Sequence, residues 1–252
     1  MENKLLSVIM AAYKTVPWVE EAVKSCLNQE LPAGWSMELL IGVDGCPDTL
    51  EAILGSEIMQ DSRLCVFELD RNYGTYIAAN TLVQHCQGEF VTRFDSDDVM
   101  LPTRLKKMTE VLINDPRVVR SNTWCDYRNT TLDRSISMEK RGADGVWMFR
   151  HSVFEALGGY QPWVCGADTE LVQRTKFLPG AKAVLIPEFL YVCRTRPGSL
   201  MRNPGVHAAR REVRKQLPIL LDAYKKKTLP LCVTPETGII KGYYGNYKGK
   251  AL

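Results

Sequence analysis

Three carboxylates stand close together in the segment "TRFDSDDVMLP", which covers residues 92–102. Asp95, Asp97 and Asp98 lie within four residues of one another and follow an apolar run. Carboxylates this close repel one another unless a cation neutralises them. Mg²⁺ or Mn²⁺ prefers oxygen ligands and is often held by one or two carboxylates together with the phosphate oxygens of a substrate. The segment therefore predicts half of a divalent-cation site, although a solvated acidic turn has the same composition.

Two common phosphate-binding motifs are absent from the sequence. No G-x-G-x-x-G follows the first apolar run, and no G-x-x-x-x-G-K-[ST] occurs anywhere in the chain. These motifs supply the backbone N–H groups, and in the second case the lysine, that hold the phosphates of a nucleotide. The sequence therefore argues against a Rossmann dinucleotide site and against a P-loop. A bound diphosphate would need another counter-charge, and a cation on the carboxylates supplies one.

The first half of the chain alternates between apolar runs of strand length and segments with helical periodicity. This alternation predicts an α/β fold in which right-handed crossovers build a mostly parallel, Rossmann-like sheet flanked by helices. Such sheets bind ligands at the edge where the strands end. The predicted strands cover 5–13, 37–45, 63–70 and 89–95, and the predicted helices cover 15–29, 48–59, 75–86 and 102–116. Polar residues follow all four strands and are expected at this edge: Tyr13, Asp44, Asp70–Asn72 and Asp95–Asp98.

The second half of the chain has shorter and more mixed elements. We expect them to form a smaller mixed sheet within one domain that ends near residue 205. Residues 206–252 are predicted to be a basic helical extension, broken by Pro218, with a tyrosine- and glycine-rich tail. The predicted strands here cover 118–129, 131–139 and 183–196, with a strand and short helix over 145–160 and a helix over 168–178.

Charge is unevenly distributed along the chain. From Arg202 to the end there are 11 Lys/Arg against 3 Asp/Glu, whereas the preceding residues carry 21 against 26. The basic end predicts contact with an anionic membrane or a nucleic acid, although a solvated helix face has the same composition. Eight cysteines occur without a C-x-x-C pair, and no apolar stretch approaches the roughly 18 residues of a membrane span. These features predict a cytoplasmic protein with reduced thiols.

The order of the motifs resembles that of family 2 glycosyltransferases with the GT-A fold. The segments are "SVIMAAY", "GVDGCPD", "LDRNYG", "RFDSDDVMLPTRL", "LGGY" and "ADTELVQR", and they fall between about residues 5 and 200. The resemblance implies an enzyme that moves a sugar from a nucleotide diphosphate-sugar to an acceptor hydroxyl, usually with inversion at the anomeric carbon. It also divides the domain into a nucleotide-sugar half, about residues 1–115, and an acceptor half, about 116–205.

The resemblance assigns roles at the donor site. It implies that Tyr13 packs on the base or ribose and that Asp44 reads the base, although Val43 stands where the family usually has a first Asp. Arg71 and Asn72 match the segment that lines the base and diphosphate pocket. Because a carboxylate can accept the ring N–H of uracil, Asp44 favours a UDP-sugar over GDP- or dTDP-sugars.

The resemblance also assigns the residues around the reacting atoms. Asp97 matches the ligand of Mn²⁺ or Mg²⁺, Asp95 contacts the ribose or the metal and its water, and Asp98 supports them. Asp168 matches the general base, although Ala167 replaces the glutamate that usually precedes it. A positioned carboxylate takes the acceptor's proton as the oxygen attacks. A carboxylate at the start of a helix is also favoured by the helix dipole alone, and Glu170 is the alternative base.

A further departure from the family concerns the segment "YVCRTRPGS". Some members have a histidine there, whereas this chain has Arg194 and Arg196. Arginine cannot bind a metal but can bind phosphate oxygens with two N–H groups at once. We expect both arginines on a mobile loop that closes over the donor. The alternative is a surface loop whose arginines contact nothing.

The acceptor is expected to be a glycan or a lipid-linked glycan at the inner membrane face. A nucleic acid with a modified base is the alternative acceptor, and a non-catalytic nucleotide-sugar-binding module is the alternative function. Trp147, Phe149 and Trp163 flank "GGY" and either line an acceptor pocket or belong to the core.

Overall fold

The computed structural model of the protein describes residues 4–199 and 204–245. Within these residues one continuous sheet carries helices on both faces. The strands are β1 (Lys4–Ala12), β2 (Trp35–Asp44), β3 (Leu64–Leu69), β4 (Phe90–Arg93), β5 (Val99–Met100), β6 (Val118–Arg128), β7 (Ser135–Glu139), β8 (Met148–Arg150), β9 (Lys182–Arg194) and β10 (Ile240–Gly245). The helices are α1 (Val19–Leu27), α2 (Pro47–Leu54), α3 (Thr75–Val83), α4 (Arg104–Asn114), α5 (His151–Leu157), α6 (Ala167–Arg174) and α7 (Pro204–Lys225). Short 3₁₀ helices cover Glu57–Gln60, Asp144–Val146 and Thr175–Phe177.

The strand order confirms the predicted α/β fold with a mostly parallel central sheet. In the described residues the order is β10-β3-β2-β1-β4-β8-β6-β9-β5, with β7 paired to β6. The strands β1 to β4 run parallel to one another. The strand β8 is antiparallel to both β4 and β6, so it joins the mixed second half to the same sheet. The two halves of the chain therefore contribute strands to the same sheet.

The strand β1 is central because its side chains are apolar on both faces. Val8 and Met10 pack into one hydrophobic cluster, whereas Ile9 packs into the other. A parallel strand covered on both faces needs such a continuous apolar run. Its register places Ala12 opposite Val43 on β2 and Ile9 opposite Arg93 on β4. The chain segments that follow these strands consequently emerge at one edge.

Three details of the predicted elements are corrected. The helix predicted over 48–59 ends at Leu54, and a separate 3₁₀ helix follows. Pro218 does not break the basic helix, because it lies inside α7. Proline removes a single helical hydrogen bond, and α7 is anchored on both sides of it by the buried Val206 and Tyr224. Part of the predicted tail forms the strand β10, which pairs antiparallel with β3.

The segment that leads to β10 is bonded to the core. The backbone N–H of Val233 donates to the carbonyl of Leu157 (2.9 Å). Farther along, the N–H of Gly238 donates to Oγ1 of Thr81 (2.8 Å). These contacts and β10 cover the edge of the sheet that β3 would otherwise expose. The remainder of the predicted tail, 246–252, lies outside the described residues.

In residues 4–199 and 204–245, no helix combines the length and apolar character needed to cross a bilayer. All eight cysteines carry free thiols; seven are buried and Cys232 is exposed.

Gly158 provides a test of how the C-terminal segment is held. It ends α5 with φ of +82°, and a Cβ there would overlap the carbonyl oxygen of Val233. Gly180 has φ of +68° but no described atom within 4 Å of its Cβ position. Alanine in a left-handed conformation costs about 1–2 kcal/mol. We therefore expect Gly180→Ala to lower the free energy of unfolding by that amount, and Gly158→Ala to lower it further, in urea denaturation. Equal losses would show that residue 233 is not packed against α5.

Candidate active site

The carboxylate cluster lies in a tight turn directly after β4. The N–H of Asp98 donates to the carbonyl of Asp95 (3.2 Å), which closes the turn. Oδ1 of Asp95 lies 3.4 Å from Nη2 of Arg93, and the Asp95 side chain is 41% exposed. Arg93 therefore neutralises part of the charge of Asp95, while the rest of the Asp95 side chain is accessible to solvent.

Asp97 is paired with a single arginine. Its Oδ2 accepts from Nε of Arg196 (2.6 Å), and both side chains are less than a fifth exposed. The guanidinium of Arg196 lies over the ring of Trp18, 4.5 Å from its centroid. Arg196 follows β9 and is part of the segment predicted to close over a donor.

Asp98 differs from Asp95 and Asp97, because it is buried and both of its carboxylate oxygens accept hydrogen bonds. One oxygen accepts from the hydroxyl of Tyr191 (2.7 Å), and the other accepts from the N–H of Arg194 (2.7 Å). Burial, followed by the charges of Asp97 and Asp95, raises the pKa of Asp98 well above its usual range. Asp98 ties the turn to β9 and has no free face toward a ligand.

The expectation that Arg194 lies on a mobile loop is wrong. Arg194 is the last residue of β9 and is buried. Its Nε donates to the carbonyl of Asp97 (2.8 Å), and its two Nη atoms bond the carbonyl of Thr130 and the carboxylate of Glu21. All of its nitrogen atoms are used within the protein, so Arg194 holds the turn and is not available to phosphate.

Asp168 faces this turn from the second half of the chain. It lies in the first turn of α6, where its Oδ1 accepts from the N–H of Thr169 (2.7 Å). The hydroxyl of Tyr76 accepts from the N–H of Gly166 (3.1 Å), and burial followed by the nearby charge of Asp168 raises the pKa of Tyr76 well above its usual range. A Cβ on Gly145 would lie 3.2 Å from Oδ2 of Asp168 and would overlap Nη2 of Arg93. Asp168, Arg93 and Asp95 therefore surround one small volume.

The alternative base, Glu170, points into the protein. It is fully buried, pairs with Arg174 (2.9 Å) and accepts from the hydroxyl of Tyr224 (3.0 Å). These bonds join α6 to α7. The structure therefore separates the two acidic residues of "DTE" into one at the site and one in the packing.

Asp44, which was expected to contact a nucleotide base, is bonded inside the protein. Asp44 is 2% exposed, and its two oxygens accept from the N–H groups of Tyr73 and Gly74 (both 2.8 Å). It fixes the loop after β3 instead of facing a ligand. Burial raises the pKa of Asp44, and these two hydrogen bonds oppose that shift. A Cβ at Gly45 would overlap the backbone of the same loop, so the two loops meet at a glycine.

The remaining donor-site residues form the exposed rim of this edge. Tyr13 is 40% exposed just after β1, and Nζ of Lys14 lies 5.1 Å from its ring centroid. The guanidinium of Arg71 lies over the ring of Tyr73 at 4.8 Å. Asn72 donates to the carbonyl of Asp44 (3.3 Å). Tyr13 and Arg71 therefore carry accessible flat surfaces on which a nucleoside could stack.

Comparison with known proteins agrees with this arrangement. The family model for glycosyl transferase family 2 matches residues 7–158, which include β1 to β4 and the acidic turn. The chain belongs to glycosyl transferase family 2.

Individual relatives share parts of the chain. Glycosyltransferase GlyG of Streptococcus pneumoniae is 26% identical over 228 residues, which are 80% of this chain and 74% of GlyG. Staphylococcus aureus TarS 1-349 in complex with UDP-GlcNAc shares the fold with a TM-score of 0.64 at 16% identity, over 79% of this chain and 61% of TarS 1-349. The mannosyltransferase PcManGT of Pyrobaculum calidifontis, in complex with GDP-Man and Mn²⁺, has a TM-score of 0.63 at 21% identity, over 91% of this chain and 66% of PcManGT.

The matched regions cover only part of these proteins. The match covers 56% of one curated relative and about three fifths of TarS 1-349. The likeness to the two solved structures shows the fold that the chain shares with them.

The acidic turn of this family 2 chain fits a divalent cation. Within the described residues no group of three or more His, Cys, Asp or Glu could hold a metal by itself. Asp97 and the partly exposed Asp95 supply two carboxylates, which is what Mg²⁺ or Mn²⁺ usually takes from a protein when phosphate and water complete its ligands. Asp97 would have to leave its ion pair with Arg196 before it could hold a cation.

The sequence assigned two residues at the site no role in the reaction. Arg93 and Tyr76 contact the predicted carboxylates, and the ring of Tyr76 lies 5.4 Å from the guanidinium carbon of Arg93. Arg93 immediately precedes "FDSDD" at the end of a strand, which was the available signal. Phe149 is buried in the core and Trp163 packs beside it, as the core interpretation expects. Trp147 is also nearly buried, and its Nε1 has no partner in the described chain.

The role of Asp44 can be tested with Asp44→Asn. The amide would present its NH₂ group to one of the two backbone donors and leave that donor unpaired, so we expect the free energy of unfolding in urea to fall by about 1–3 kcal/mol. Asp48→Asn, an exposed first-turn carboxylate of α2, is the control and should lose about 0.3–1 kcal/mol. Affinities for UDP and GDP should fall together, because the loop is disturbed and no base contact is lost. Unchanged stability with a selective loss of UDP affinity would restore Asp44 as the base reader.

Proposed function

We propose that this protein is a metal-dependent, inverting glycosyltransferase that moves a sugar from a nucleotide diphosphate-sugar to an acceptor hydroxyl. The observation that carries the proposal is the proximity of Asp95, in the acidic turn after β4, to Asp168, in the first turn of α6, with Arg93 beside both. This arrangement supports a diphosphate-binding half-site at the acidic turn beside a candidate base. Membership of family 2 supplies the reaction class.

The proposed donor lies along the edge formed by the ends of β1 to β4. Its nucleoside stacks between Tyr13 and the loop with Arg71 and Asn72, which form the exposed rim. Both oxygens of Asp44 are engaged inside the protein, so the expected preference for uracil loses that support. A UDP-sugar remains the proposed donor because TarS, which shares the fold, binds UDP-GlcNAc. A GDP-sugar is the alternative, since PcManGT binds GDP-Man.

Asp97 and Asp95 are the residues that would hold Mn²⁺ or Mg²⁺. The cation, when bound, neutralises charge that develops on the leaving diphosphate. In the donor complex Arg196 exchanges Asp97 for the phosphate oxygens, to which a guanidinium can donate two N–H groups. Arg196 can make this exchange because it lies beyond the end of β9, whereas Arg194 cannot.

Asp168 performs the proton transfer. Its carboxylate takes the proton of the acceptor hydroxyl as that oxygen bonds to the anomeric carbon. The bond from the anomeric carbon to the phosphate oxygen breaks, and its electron pair leaves with the nucleoside diphosphate. Attack from the face opposite the leaving group inverts the configuration at the anomeric carbon.

The acceptor is proposed to be a glycan or a lipid-linked glycan at the inner face of a membrane. Support comes from α7, whose outer face exposes Arg211, Arg214 and Lys215, together with Ile219 at 63% exposure. Basic and apolar side chains on one exposed helix suit an anionic lipid surface.

The metal requirement is tested by binding of UDP and GDP, measured by calorimetry with Mn²⁺ and with EDTA. We expect EDTA to weaken the preferred nucleotide by about tenfold or more, or ~1.4 kcal/mol. Asp97→Asn should have the same effect in the presence of Mn²⁺, whereas the exposed Asp133→Asn should have none. Affinity that does not change with EDTA would contradict metal dependence.

The base is tested with Asp168→Asn, using release of nucleoside diphosphate from UDP-GlcNAc or GDP-Man with water as acceptor. We expect kcat to fall by about 10²–10⁴-fold, the usual contribution of a general base, while nucleotide affinity stays the same. Glu170→Gln should lower stability, because it breaks the buried pair with Arg174, and should retain activity per folded molecule. The reverse pattern would assign the base to Glu170. The anomeric configuration of the sugar released, followed by NMR, tests inversion.

A further inference from the structure

Arg93 is the only buried arginine that contacts the acidic turn with its guanidinium and also reaches the site of the proposed base, within residues 4–199 and 204–245. Its side chain is 6% exposed, and its Nη2 lies 3.4 Å from Oδ1 of Asp95. Its guanidinium lies against the ring of Tyr76, and both its Nη2 and Oδ2 of Asp168 lie within 3.2 Å of the position that a Cβ on Gly145 would take. The sequence places it at the end of β4, where the strand fixes its backbone.

The hydrogen bonding of Arg93 is incomplete. Nε and Nη1 are buried and have no partner among the described residues. Arg104, on α4, shows what a structural arginine does: its three nitrogens bond Thr123, Met100, Asn122 and the carbonyl of Val146. A buried donor without a partner costs stability. Arg93 therefore contributes less to the stability of the fold than Arg104, whose three nitrogens all have partners.

The position of Arg93 is set from several sides. Gly145 leaves space for Nη2, since a Cβ there would overlap this atom and lie 3.2 Å from Oδ2 of Asp168. Tyr76 covers the guanidinium on another side. Burial disfavours the charged guanidinium, but the negative charges of Asp95 and Asp168 both raise the pKa of Arg93 above its usual value. The guanidinium is thus paired with Asp95, and its charge also acts on the nearby Asp168.

We infer that Arg93 is a positioning residue for the transfer reaction, holding Asp168 toward the reacting hydroxyl and linking it to Asp95 of the acidic turn. The inference rests on the proposed role of Asp168 as the base. Arg93 is too deeply buried to be a phosphate ligand at the rim, unlike Arg71 and Arg196. It acts through Asp168, together with the hydroxyl of Tyr76, so that donor binding and base orientation depend on the same cation.

The kinetic test uses Arg93→Met, Asp168→Asn and the double variant, with release of nucleoside diphosphate from UDP-GlcNAc or GDP-Man in Mn²⁺ as the assay. We expect Arg93→Met to lower kcat by about 10–100-fold, a part of what a general base contributes, and to change KM for the donor by less than about threefold. The double variant should be no slower than Asp168→Asn alone. A loss equal to the product of the two single losses would show that Arg93 acts independently of Asp168 and would overturn the inference.

A second pair of variants moves Arg93 without removing it. Gly145→Ala should displace the flexible end of Arg93 and reduce kcat in the same direction, because φ at Gly145 is not left-handed and alanine fits the backbone. Gly242→Ala, in β10, is the matched control, since its Cβ would come no closer than 3.8 Å to a described atom. Equal activity of these two variants would count against the inference.

Stability separates a positioning role from a structural one. Arg93→Met should keep the Tm within about 3 °C of the wild type, because it removes two unpartnered donors, whereas Arg104→Met should lower it by more. Equally large losses of Tm in both variants would make Arg93 structural and overturn the inference.

The kinetic results separate this inference from the proposals on which it rests. Loss of kcat in Asp168→Asn without loss of kcat in Arg93→Met overturns only this inference. No loss in either variant overturns the base assignment, and a wild type that hydrolyses neither donor contradicts the proposed function on which both depend.

Discussion

The repulsion between carboxylates that the fold brings to one sheet edge is the constraint on which the site depends. Asp95, Asp97 and Asp98 share a turn, and Asp168 faces them from the other half of the domain. Each has a different donor: an arginine for Asp95, another for Asp97, a tyrosine and an N–H for Asp98, and the N–H of Thr169 for Asp168. A carboxylate beside another is stable only when such partners offset the repulsion. Donor groups of the protein itself therefore offset the repulsion among these four carboxylates.

The four partnerships differ in how easily they can be exchanged. Asp98 is buried and bonded to β9 through Tyr191 and the backbone of Arg194, so its partners are part of the fold. Asp97 is paired with Arg196, which lies beyond the last strand residue. A divalent cation on Asp97 and a diphosphate on Arg196 would together supply the charges that this mostly buried ion pair loses when it opens. The same acidic turn thus contains one carboxylate that fixes the structure and one that is available for chemistry.

Hydrogen-bond satisfaction distinguishes the roles of the buried arginines. Arg104 and Arg194 use all their nitrogen atoms on carbonyls and side chains, and each connects separate elements. Arg93 is equally buried but leaves two nitrogens without partners. Native proteins rarely leave buried donors unpaired, and such exceptions concentrate at functional sites. Burial alone would have grouped these arginines together, whereas their partners separate them.

The sequence by itself determined the α/β alternation, the edge at which its polar residues meet and the family to which the chain belongs. These follow from local properties, because apolar runs, periodicity and motif order are written along the chain. Only the tertiary structure decided which side chains face that edge. The carboxylate of Asp44 accepts from two backbone N–H groups inside the protein. Arg194 is the last residue of β9, and Arg93 lies near Asp168. Residues 240–245 became an edge strand. Each of these outcomes depends on a partner far away in sequence, and sequence spacing does not specify such contacts.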